Sequence, residues 1–233
     1  MTQVKKFWPI LTGTHRYEKT LSTRGHGEGI IITAPILSYL IETAHGRILY
    51  DAGCDYSKIV DDVKRRHFYE HEGFPFGPPT MEEEQRLPNR LAELGLKKED
   101  VDVVFCGHLH FDHAGGVCEF CHAEVHVHEK ELKAAREPAD EAYFKEDFDC
   151  PVNWRVYKGE YDLVPGVRAI ESPGHTAGHM SMLIELPKGK PILLAGDAAD
   201  LQSGVGWKIV DGYRTGACQS RCEIGLDPLL NGR

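Results

Sequence analysis

Gly107-His108-Leu109-His110-Phe111-Asp112-His113-Ala114-Gly115-Gly116 packs three imidazoles and one carboxylate into the six positions 108–113. The apolar run Val101-Asp102-Val103-Val104-Phe105-Cys106 precedes it and reads as a buried strand. A strand end that opens into a glycine-flanked loop is a good place to hold a metal ion. His108 and His110 are two apart, so on extended backbone they point the same way. Asp112 and His113 follow once the chain has begun to turn, and can face a second ion. Imidazole and carboxylate together suit zinc and similar borderline cations.

Outward from this stretch, the chain supplies further groups at predicted strand ends. Val167 to Glu171 reads as a strand that delivers Ser172-Pro173-Gly174-His175, where proline and glycine fix a tight turn and present His175 on it. Met180 to Leu186 and Pro191 to Ala195 read as two more strands, and the second ends at Gly196-Asp197. Upstream, residues 1–28 carry few signals. Ile30-Ile31-Ile32 and Ile36 to Ile41 read as strands interrupted at Pro35, and Arg47 to Asp51 as the returning arm of a hairpin. Asp51, at a strand end before Ala52-Gly53, reads equally as a support for a metal ligand or as an Asx turn.

Residues 55–85 and 138–160 read as long irregular connections bearing aromatic residues, either pocket walls or packing beneath loops. Leu87, Leu91 and Leu94 repeat at helical spacing, with Gly95 to end the helix. Glu124 to His128 alternates as a strand, with His126 and His128 expected on an exposed face. Residues 129–137 read as a short charged helix.

The 233 residues fit one domain with a sizeable core. A net charge of -9 argues against a nucleic-acid partner, which calls for a basic face. No apolar run is long enough to span a bilayer, and no leader of secretory type opens the chain. The seven cysteines are irregularly spaced, so reduced thiols in a cytoplasmic protein are expected. Cys118-Glu119-Phe120-Cys121-His122 matches the haem-attachment spacing, but sits directly against the stronger metal motif.

His108-Leu109-His110-Phe111-Asp112-His113, Pro173-Gly174-His175 and Gly196-Asp197, in that chain order, resemble the metallo-β-lactamase superfamily. The wording of 108–116 looks most like its N-acyl-homoserine lactonases and the related 4-pyridoxolactonase. Tyr39-Leu40-Ile41-Glu42, the segment Gly46 to Gly53 and Leu94-Gly95-Leu96 are similar too, so the likeness runs over about 30–200. It implies an α/β fold: an αββα sandwich of two mixed sheets flanked by helices, spanning 1–233 as a single domain with an atypical tail.

By carry-over, His108, His110 and His175 hold one metal, Asp112 and His113 belong to the second, and Asp197 bridges both. His179 matches no ligand position. The implied activity is a zinc-dependent hydrolase that opens a lactone ring with a metal-bridged hydroxide, Asp112 helping the leaving alkoxide. Its partner would be a small lactone or ester, with the oligomeric state left open. The alternatives are another hydrolase of the same fold, a glyoxalase II-like thioesterase or a β-lactamase, or an impaired metal-binding remnant.

Two departures stand out. The lactonases carry a tyrosine three residues after the bridging aspartate, where this chain has Asp200. The family also supplies a later histidine to the second metal, whereas no histidine follows His179 here. Leu201 to Arg233 shows little periodicity, and a frameshift or truncation would produce such an ending.

Overall fold

The computed structural model describes residues 2–23 and 26–199. Six strands form the first sheet in chain order: β1 (Val4–Glu18), β2 (Ile31–Thr43), β3 (Gly46–Tyr50), β4 (Val103–Phe105), β5 (Glu124–His128) and β6 (Asn153–Tyr157). The first two neighbour pairs are antiparallel and the last three parallel, so this sheet is mixed as expected. The second sheet comprises β7 (Tyr161–Val164), β8 (Val167–Glu171), β9 (Met180–Ile184) and β10 (Ile192–Leu194). It is antiparallel throughout its described strands. The segments joining its strands are too short for the crossover that parallel pairing demands.

The two sheets pack face to face. Ile48, Tyr50 and Phe105 of the first meet Val167, Ala169, Met180, Met182 and Ile184 of the second. The alternate residues Leu49, Val104, Val125 and Val127 point the other way, into a second core. There they meet Leu87 and Leu91 of a helix over Leu87–Glu93, and Leu132 and Ala135 of a helix over Glu129–Arg136. Strand periodicity thus sorts one face to the partner sheet and the other to helices. Among the described residues, no helix is long and apolar enough to cross a membrane.

The structure corrects several local expectations. The segment with few signals is the 15-residue strand β1. Its alternation is disturbed by register shifts between Val4 and Lys6 and between Leu11 and Gly13. Pro35 does not interrupt β2. It pairs with Thr14 of β1, in a part of β2 that β3 does not reach, so its missing N–H leaves no partner unsatisfied. Residues 55–85 contain two helices, α1 (Tyr56–Val60) and α2 (Asp62–Phe68). Asp55 accepts from Ser57 N, and Asp61 from Val63 N and Lys64 N, as N-caps do. The remaining helices are α3 (Leu87–Glu93), α4 (Phe111–Ala114) and α5 (Glu129–Arg136).

His126 and His128 are buried, not exposed, because their face of β5 meets the second sheet. His126 Nδ1 lies 3.0 Å from the Tyr161 hydroxyl, and His128 Nε2 3.0 Å from Glu171. Reduced thiols are not found throughout: Cys118 and Cys150 form a disulfide. The 3-10 turns at Val117–Phe120 and Lys145–Phe148 pack together and bring the pair into contact across 32 positions. Cys54, Cys106 and Cys121 are free thiols. The Leu201 to Arg233 tail and Asp200 lie outside the described residues.

The paired glycines of the motif serve backbone contact. A Cβ on Gly116 would strike the Ala52 carbonyl, and one on Gly115 the backbone of Cys54 and Asp55. Ala52 N donates to His113 O at 2.7 Å, so the two loops meet main chain to main chain. Gly116→Ala is expected to destabilise by about 1–3 kcal/mol or more in denaturant unfolding, the scale for forced overpacking. A loss well below 1 kcal/mol would show that the loops part at little cost.

Candidate metal centre

The candidate site sits where β4 and β9 run out. Met180 N donates to Gly107 O at 2.8 Å, and Gly107 N donates to Asp51 Oδ1 at 2.7 Å, which fixes the start of the histidine loop. His110 then caps α4, whose first turn carries Asp112 and His113. His175 comes from the Ser172–Gly178 loop between β8 and β9, and Asp197 from a 3-10 turn after β10.

These elements, far apart in sequence, bring the expected residues together. The imidazole nitrogens of His108, His110 and His175 lie within 4.8 Å of one another, as do the donor atoms of His108, His113 and Asp197. Asp197 lies between the two groups, with carboxylate oxygens 3.3 Å from His113 Nε2 and 3.4 Å from His175 Nε2. Asp112 is in neither group. Its Oδ2 stands 3.6 Å from His113 Nε2, at the side open to the cleft.

The donor set fits a metal. His108 is fully buried, yet neither ring nitrogen makes a hydrogen bond. A buried polar atom without a partner costs about 1–3 kcal/mol. A coordinated cation satisfies one such nitrogen directly. Burial, and then the neighbouring imidazoles, hold His108 well below its usual pKa, so it stays neutral with a lone pair to give. Burial also pulls on His113, but Asp197, Asp112 and Asp51 outweigh it and hold that imidazole well above its usual value. Burial pushes Asp197 up, yet His113 and His175 prevail and keep its carboxyl well below the ordinary range. His113 and Asp197 therefore stand as an ion pair, 3.3 Å apart.

Two supports surround these donors. Asp51 adopts a positive φ of 59°, uncommon for a residue with a Cβ. In that conformation its Oδ2 accepts from His113 Nδ1 at 2.8 Å while Oδ1 holds Gly107. This leaves His113 Nε2 facing Asp197 and Asp112, the carboxylate–histidine pattern that orients metal ligands. His179, expected to match no ligand position, has Nδ1 2.8 Å from Ser172 Oγ and accepts from Asp197 N at 3.1 Å. It joins the two loops that bear His175 and Asp197.

The site opens into a small cavity of about 60 Å³. His110, His175, Asp112 and Asp197 line its inner side, and His15, Tyr17, Leu21 and Phe76 its walls. Of the aromatic residues in the two long connections, Phe76 reaches this cavity. Tyr69, Phe74 and Phe144 instead pack with Phe111 as a buried cluster. His15, Tyr17 and Glu131 carried no functional reading in the sequence.

Comparison with known proteins agrees with this geometry. The model of the metallo-beta-lactamase superfamily matches residues 32–200. An N-acyl homoserine lactonase of a Bacillus sp is 35% identical over 197 residues, covering 84% of this chain and 76% of that protein. N-acyl homoserine lactonase AttM of Rhizobium radiobacter is 35% identical over 209 residues, covering 85% and 78%. Among solved structures, an N-acyl homoserine lactone hydrolase with the product N-hexanoyl-L-homoserine at its catalytic metal centre superposes with a TM-score of 0.82. It is 31% identical and the match covers 92% of this chain and 84% of that one.

Proposed function

The chain belongs to the metallo-β-lactamase superfamily, and from that membership we propose that it is a metal-dependent hydrolase that opens the ring of N-acyl homoserine lactones. The observation that carries the reading is the buried triad His108, His110 and His175 beside Asp197 at the base of the cavity. It accompanies substantial identity to lactonases of that name.

In this reading His108, His110 and His175 hold one ion. His113 and Asp112 serve a second, and Asp197 stands between them. Zinc is the favoured metal, because nitrogen and carboxylate donors at these separations suit it. A zinc pair so held supplies Lewis acidity for the lactone carbonyl and an acidified water as nucleophile.

The chain's own residues do the rest. Asp51 fixes the His113 tautomer. Asp112, open to the cleft, is placed to pass a proton to the departing alkoxide. Phe76 and Leu21 offer apolar wall to an acyl chain. No serine or cysteine nucleophile is needed, and Cys106 is buried in the core.

The test is hydrolysis of N-hexanoyl homoserine lactone by the zinc-loaded chain, read as proton release, beside a thioester and a β-lactam. Lactone opening that a chelator abolishes supports the proposal. Preference for the thioester or β-lactam would place the chain with other hydrolases of the fold. In the same preparation, zinc is expected to leave in two steps under chelator competition, the second site at least about tenfold weaker. That site has only His113, Asp112 and the shared Asp197 among the described residues. A single ion with no lactone turnover would favour the remnant reading.

A further inference from the structure

Glu131 is fully buried, and a buried carboxylate calls for an account. It lies on the face of α5 that packs into the core, beside Leu132 and one turn before Ala135. No lysine or arginine pairs with it among the described ion pairs. Instead four donors converge on its two oxygens. Oε1 accepts from Leu109 N at 2.9 Å and from the Tyr143 hydroxyl at 2.9 Å. Oε2 accepts from the Thr176 hydroxyl at 2.6 Å and from Gly178 N at 3.2 Å.

Those donors are not scattered. Leu109 is the residue between His108 and His110. Thr176 follows His175, and Gly178 closes the same loop. The Tyr143 ring stands edge-on to the His110 imidazole with centroids 4.6 Å apart. One carboxylate therefore grips both histidine-bearing loops and the ring that braces the third imidazole. Gly178 is glycine because the Glu131 backbone lies against it, where any Cβ would collide.

We propose that Glu131 is the positioning residue of the metal centre, a buried clamp that holds the imidazoles of His108, His110 and His175 in register for an ion it does not touch. The proposal rests on the reading that those three imidazoles hold a metal. An uncharged amide cannot replace the clamp. A glutamine has one acceptor oxygen, and its NH2 group would face two of the four donors. The loops would then relax apart, and the three nitrogens would lose their common focus.

The experiment measures cobalt(II) affinity of the metal-stripped chain by chelator competition, and the visible spectrum of the bound cobalt. Parent, Glu131→Gln and Asp147→Asn are compared. Asp147 is equally buried but touches none of the histidines, so its variant reports what lost stability alone does to binding. Glu131→Gln is expected to weaken cobalt binding about 10–100-fold, the scale for losing an outer support of a metal ligand, with an altered spectrum. Asp147→Asn is expected to stay within about twofold of the parent, however far its melting temperature falls.

Equal affinity and spectrum in Glu131→Gln and parent would overturn the clamp alone. No cobalt binding by the parent would overturn the metal reading with it. Should Glu131→Gln fail to fold, Thr176→Val and Tyr143→Phe each remove one bond to the carboxylate. Unchanged cobalt affinity in both would also overturn the proposal.

Discussion

His108→Ala is expected to abolish metal binding and lactone hydrolysis together. His108 is one of the three imidazoles assigned to the first ion, so its loss opens that set, and its ring nitrogen also stands within 4.8 Å of the donor atoms of His113 and Asp197. The expected drop in hydrolysis is about 10³-fold or more, the rate equivalent of the several kcal/mol that a Lewis-acidic metal contributes. Stability should move the other way, or little. The parent buries an imidazole whose two nitrogens make no hydrogen bond, and alanine removes that cost while leaving a cavity. The measurement is elemental analysis beside the lactone assay and thermal melting of the metal-stripped protein. Near-parental activity would overturn the assignment. Activity loss with full metal content would move His108 from ligand to another role. Asp197→Ala should behave alike for activity, since its carboxylate faces both donor sets.

What could be read beforehand followed from locality. His108, His110, Asp112 and His113 lie within one turn of chain, so spacing alone places their chemistry together. His175 and Asp197 were found as single groups presented at strand ends. Their convergence is what the family resemblance implies, and in the structure His175 Nε2 and an Asp197 carboxylate oxygen stand 3.4 Å apart. Supports that act across the fold were the illegible part. Glu131 looked like one more charge on a charged helix, although Glu131 and Ala135 are one turn apart on the buried face and could have flagged a carboxylate in the core. The strand β1 was hidden by its two bulges and its charged residues. The fate of His126 and His128 depended on which face the second sheet would cover. Alternation alone cannot decide that, since it defines two faces but not which is inside.

Lys58→Met is expected to produce the largest stability loss, and a pH-dependent one. Lys58 and Asp147 form an ion pair with side chains only 4% and 1% exposed, joining α1 to the turn before Cys150. The ammonium also lies over the rings of Phe68 and Phe144 at 4.4 and 5.3 Å, and Asp147 Oδ2 makes no hydrogen bond. Burial pushes the Asp147 carboxyl up, and Lys58 pulls it back. Methionine keeps most of the side-chain volume and removes the pull, so the carboxyl rises further. A group whose folded pKa is raised binds a proton that the unfolded chain has released, so its contribution to stability falls as pH rises. The variant's deficit should therefore be greatest above neutrality, about 3–5 kcal/mol at pH 8.5, where a lone carboxylate must stay buried. It should shrink toward pH 5.5, where that carboxyl is protonated and neutral. Urea unfolding of variant and parent at both pH values tests this, because groups remote from Lys58 cancel in the difference. An equal deficit at both would show that Asp147 takes up no proton. The double replacement Lys58→Met with Asp147→Leu should recover most of the loss, since two apolar groups of similar volume leave no charge behind. The lactone assay then separates stability from function: the pair touches no donor of the metal centre, so kcat should hold wherever the variant is folded.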